Sequence, residues 1–175
     1  MFTAFIIAIE ILTGLLLQTA VFPYLEIAGI APDLLMIITV AAAYQMGKLP
    51  GMWTGLVCGL LLDVTSSGVL GVYALFFLLI GYLNGFLKEY YVANDTLLPL
   101  LLLAVSELAF SALIYVFEFL IRGKLNVLFY LRRIMLPKVL YTAVAGIILY
   151  KLLDLIYLHL IVRRREKLEA EAQMR

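Results

Sequence analysis

Cysteine and histidine are all but missing from this chain, which holds one of each, Cys58 and His159, in 175 residues. A lone cysteine excludes an intramolecular disulfide. Neither residue has a second Cys or His at ligand spacing, which excludes the Cys/His zinc sites of small domains. No metal and no cofactor are expected. Cys58 lies in an apolar stretch, where a thiol packs as a small hydrophobe, and His159 reads as a residue of the membrane interface. The sequence also lacks a nucleophile accompanied by a His/Asp set, and lacks a glycine-rich phosphate loop. The chain is therefore not expected to be an enzyme. Charge is scarce, at 14% of residues, against about 25% in soluble domains. No segment is long and polar enough to fold as a separate soluble domain. The first residues carry no basic n-region and their apolar run contains Glu10, so they read as a retained first span and not as a cleaved signal.

What is present is apolar: 65% of residues are hydrophobic, and the mean hydropathy is +1.08. A bilayer-crossing helix needs about 20 such residues. The chain divides into an all-α, polytopic membrane protein, a compact bundle of six transmembrane helices over residues 1–162, with a charged tail at 163–175. The spans read as Phe2 to Phe22, Ile30–Leu34 to Met46 with Pro32 in a first turn, Gly51 to Asp63, Val69 to Leu87, Leu97 to Ile121, and Met135 to beyond Tyr150. Gly47 to Gly51 is a tight turn. The second and third spans are short, and a re-entrant hairpin is the alternative there.

Lys and Arg in short loops set orientation. With both termini cytoplasmic, the inner side carries Lys48, Lys88, Arg163, Arg164, Arg165, Lys167 and Arg175. The outer side carries Arg122, Lys124, Arg132, Arg133 and Lys138, all in one connection. The balance favours both termini inside. The basic connection then either folds over an acidic rim of Glu26, Asp33, Asp63 and Glu118 or remains solvated. The basic tail abuts a span, which suits anionic lipid and not nucleic acid.

Gly51, Gly55 and Gly59 recur every fourth residue of an apolar run that ends in Asp63. Residues four apart share a helix face, and glycines there let another backbone approach closely. Gly81 and Gly85 repeat the spacing on the fourth span, and Ala4 and Ala8 on the first. Close packing within the monomer and docking of a partner helix are both open to these pairs.

Ionisable residues inside spans are costly and mark candidate functional positions. Glu10 and Glu107 fall near the middle of the first and fifth spans, and Lys151 in the inner half of the sixth. Counted from the inner side, the three have similar depth. Lys151 can lock a buried carboxylate, pair with Asp154 three residues on, or snorkel to the interface. Neutral, hydrogen-bonded acids or a proton relay are further readings of the carboxylates. Asp33 and Asp63 invite comparison with paired catalytic acids, which must sit close enough to share a proton; nothing in their spacing brings them together. Asp33 also stands where a helix cap belongs.

Pro32-Asp33-Leu34-Leu35, then Gly55, Gly59 and Leu60-Leu61-Leu62-Asp63, then Gly68, Gly71, Tyr73, Ala74, Gly81, Tyr82 and Gly85, follow one another in an order and spacing that resembles the MreD family of rod shape-determining membrane proteins. The likeness covers the first half of the chain; the second half agrees in length, hydropathy and basic tail. It implies a non-enzymatic scaffold of the bacterial elongation machinery in the cytoplasmic membrane. Such a scaffold supports lateral-wall peptidoglycan synthesis. MreC would be its direct partner, with MreB and the RodA–transpeptidase synthase as weaker or indirect ones, and self-association into a homo-oligomer stays open. The MreD family looks like the S-components of energy-coupling-factor vitamin transporters, and such a substrate-binding component is the alternative function. Ala4 and Ala8 would then be its docking motif.

Overall fold

The computed structural model describes residues 2–24, 26, 30–65, 71–87, 97–117 and 131–156. Its α-helices are α1 (Phe2–Leu16), α2 (Leu34–Met46), α3 (Lys48–Thr65), α4 (Val72–Leu87), α5 (Leu97–Tyr115) and α6 (Leu136–Ile156). A π-helical turn, Leu17–Val21, and a 3-10 turn, Phe22–Tyr24, prolong α1, and a π-helical turn, Leu131–Met135, leads into α6. The tail 163–175, Lys88, Arg122, Lys124, Glu118 and His159, and the side chains of Ala4 and Asp154, lie outside the described residues.

Among the described residues, three helical segments are long and apolar enough to cross a membrane: Phe5–Tyr24, Leu98–Tyr115 and Leu131–Leu153. The helix α2, of 13 residues, is too short, since that many residues rise only about 20 Å against a hydrocarbon core of ~30 Å. Its surroundings explain how it is accommodated. Every residue from Leu34 to Ala43 is buried, and α2 packs against α1, α3, α4, α5 and α6. A helix that is apolar all round belongs in an interior. Surrounded by protein, α2 need not match the bilayer thickness.

Around this axis, α3 and α4 form the closest pair. A Cβ on Gly59 would lie 2.5 Å from Ala74 Cα, and one on Gly51 would lie 2.8 Å from the Gly81 carbonyl oxygen. Gly55 faces the Phe77 carbonyl, Gly81 faces the Gly51 carbonyl, and Gly85 faces the backbone of Lys48. All five glycines of the two spaced sets are thus occupied by packing inside the chain. Lipid tails are as apolar as the side chains, so this contact is held by van der Waals fit, which the missing Cβ atoms permit.

The link between α2 and α3 is tighter than the expected turn from Gly47 to Gly51. Only Gly47 leaves the helical conformation, with φ +98°, a region that L side chains rarely adopt. Pro50 sits in the first turn of α3, where a missing N–H costs no helical bond.

Candidate functional site: a buried ion cluster at the head of the central helix

Asp33 is the N-cap of α2, its carboxylate accepting from the Met36 N–H at 3.1 Å. Two further groups complete the helix start. The Leu35 N–H donates to Gln18 Oε1 of the π-helical turn at 3.2 Å, and the Asp33 N–H donates to Thr142 Oγ1 of α6 at 3.2 Å. Such donors are orphaned at any helix start, and here side chains from two other segments satisfy them. The sequence places these groups by simple means: Gln18 ends the first apolar run, and Lys138 and Thr142 stand four apart on one face of α6.

Lys138 projects from the first turn of α6 between two acids. Its Nζ lies 2.8 Å from Glu107 Oε1 and 3.6 Å from Asp33 Oδ2. It also stands over the Phe110 ring, 5.2 Å from the centroid. Glu107 is fully buried, and its Oε2 has no hydrogen-bond partner among the described residues. A buried ion pair is held together by mutual attraction that offsets a large desolvation cost. The cluster ties α2, α5 and α6 together at one end of the bundle. A second polar tie, from Asn84 Nδ2 to Ser106 Oγ at 2.8 Å, joins α4 to α5.

Several expected pairings are corrected by this geometry. Lys138 belongs to α6 and not to the connection before it, and it is Lys138, not Lys151, that meets Glu107. Lys151 instead shares a cavity with Pro99 near the start of α5, and Pro99 is some 12 Å of helix rise from Glu107. The two residues are therefore at different depths. Glu10 is partly buried on α1, apart from the cluster. Asp33 and Asp63 have separate partners, Asp33 the Met36 amide and Lys138, and Asp63 the first amides of α4. Lys138, Gln18 and Thr142 were not singled out by sequence reasoning; the i, i+4 pair of polar residues on an apolar helix was the available signal.

Asp63 works as a remote helix cap. Its two carboxylate oxygens accept from the Tyr73 N–H at 3.1 Å and the Ala74 N–H at 3.0 Å. The partners are amides of the first turn of α4. A carboxylate there also complements the helix dipole. The result is a clasp across the ends of α3 and α4. We expect Asp63→Asn to keep one acceptor and lower thermal stability moderately. Asp63→Leu leaves one buried and one partly buried donor unmet, the buried one alone costing about 1–3 kcal/mol, and should be far worse. Thermal unfolding in detergent checks this, and equal midpoints for Asn and Leu would remove the clasp from the account.

Among the described residues no group of three or more His, Cys, Asp or Glu side chains is placed to hold a metal ion. The arrangement orders helices: a helix start, a buried ion cluster and an interhelical clasp. The fold and the site together define a helical membrane protein in which Asp33, Asp63, Glu107 and Lys138 join its own helices. The family model for the rod shape-determining protein MreD matches residues 1–160. The chain belongs to the MreD family, and is by that membership a rod shape-determining membrane protein. No curated protein and no solved structure matches it.

Proposed function

We propose that this protein is a non-enzymatic scaffold of the cell-elongation machinery in the bacterial cytoplasmic membrane, crossing it several times with both termini in the cytoplasm. In this reading it binds MreC directly and supports lateral-wall peptidoglycan synthesis. Its relation to MreB and to the RodA–transpeptidase synthase is weaker or indirect. The observation that carries the proposal is the family match over residues 1–160. The polar cluster is in keeping with it, since Lys138 and main-chain amides occupy the buried acids. In the proposed orientation the cluster of Asp33, Glu107 and Lys138 lies toward the outer face, and Lys48 and Lys151 toward the inner one.

The test is affinity purification of the intact protein from native membranes, followed by mass spectrometry, with cysteine labelling at Met1 and Arg175. MreC should co-purify in near-stoichiometric amount, and both ends should label only after the membrane is permeabilised. A preparation that carries a bound vitamin and no MreC would instead identify an S-component. Termini on opposite faces would overturn the topology.

A further inference from the structure

Where α2, α5 and α6 meet, the packing leaves a cavity of about 230 Å³. Its wall is mostly aliphatic, with Ile37, Val40 and Ala41 from α2 facing Leu100 and Leu103 from α5. Its exposed lining residues both belong to α6, Ile147 at 46% exposure and Lys151. Tyr150 and Lys151 stand at one end, and Lys151 is exposed. No ion pair joins Lys151 to another described residue.

The depth of that end is marked by its neighbours. Tyr150 meets Tyr44 edge-on, with ring centroids 6.3 Å apart, near the last turn of α2. At the same end of the bundle Lys48 stands over the Phe86 ring, 5.8 Å from its centroid. Aromatic rings and lysines gathered at one height are the mark of a membrane interface. The cavity therefore runs from the hydrocarbon toward the head-group level, with a cation at its mouth.

We propose that this cavity holds an acyl chain of an anionic glycerophospholipid, whose phosphate rests against Lys151 Nζ. An apolar cavity does not hold water well, and the exposed, apolar Ile147 in its lining is where a chain from the surrounding bilayer would enter. The ammonium group is a compact point charge suited to a phosphate. A zwitterionic lipid brings its own cation beside Lys151 and is disfavoured. Basic pockets between transmembrane helices on the cytoplasmic side bind anionic lipid in this way. The site is built from residues of α2, α5 and α6 and uses none of the basic tail.

The experiment is native mass spectrometry of the full-length protein in detergent, titrated with phosphatidylglycerol or with phosphatidylcholine of the same chains. The wild type should retain phosphatidylglycerol in preference by about fivefold, the order that one lysine contributes near an anionic head group. Lys151→Gln, at an exposed position with the basic tail intact, should bring the two lipids close to parity while keeping total binding. Val40→Phe, which fills the cavity, should lower retention of both lipids with an unchanged melting temperature. Ile147→Trp, on the exposed rim, gives the same reading if Val40→Phe does not fold. Equal retention of both lipids by the wild type overturns the proposal. So does a lipid preference that survives Lys151→Gln, or undiminished retention in both cavity variants.

Discussion

Replacing Gly55 by alanine should sharply reduce the amount of folded protein in the membrane. The added Cβ would meet the backbone carbonyl of Phe77, which cannot turn aside as a side chain does. Gly59→Ala meets the same obstacle, with its Cβ 2.5 Å from Ala74 Cα. Overpacking in a close-packed interior typically costs about 1–3 kcal/mol, and leucine at either position should exceed that by forcing α3 off α4. The contrast is Gly146→Ala, whose Cβ would press on the Leu103 side chain, a group with room to change rotamer beside the cavity. The check is thermal unfolding in detergent together with abundance in membranes. If Gly55→Ala and Gly59→Ala match Gly146→Ala on both measures, the glycine face is not what holds α3 on α4.

Removing the cation of the buried cluster should have an effect at least as large. Lys138→Met leaves Glu107 fully buried and Asp33 nearly so, facing a neutral side chain. Breaking one partner out of a buried pair costs typically about 3–5 kcal/mol, because the remaining charge stays uncompensated. Glu107→Gln should be milder, since the amide keeps the shape and Lys138 retains Asp33. The decisive variant is the double replacement Lys138→Met with Glu107→Leu. Apolar residues of similar volume can substitute for a buried ion pair with little loss, so the double variant should recover much of the stability that Lys138→Met loses. Unfolding midpoints of the three variants decide it. A double variant no more stable than Lys138→Met alone would show that the carboxylate is needed for something other than pairing.

The sequence by itself determined the membrane class, the helical architecture and the places where helices could pack closely. Hydropathy and the scarcity of charge are properties of composition, and glycines at every fourth residue share a helix face whatever lies opposite. The cap at Asp33 was also legible, because a short acid before an apolar run acts on its own helix within three residues. Tertiary structure decided what each of these features meets. That the α3 glycines face α4 of the same chain depends on how the two helices are rotated about their axes. The meeting of Glu107 with Lys138 depends on the depth at which α5 and α6 pass each other, which no periodicity within either helix records. Asp63 reaches amides ten and eleven residues further on, because the α3–α4 pair brings the end of one helix beside the start of the next. The short α2 read as a weak span or a re-entrant hairpin for the same reason. Its length is compared with the bilayer until the surrounding helices are in place, and only then is its solvent seen to be protein.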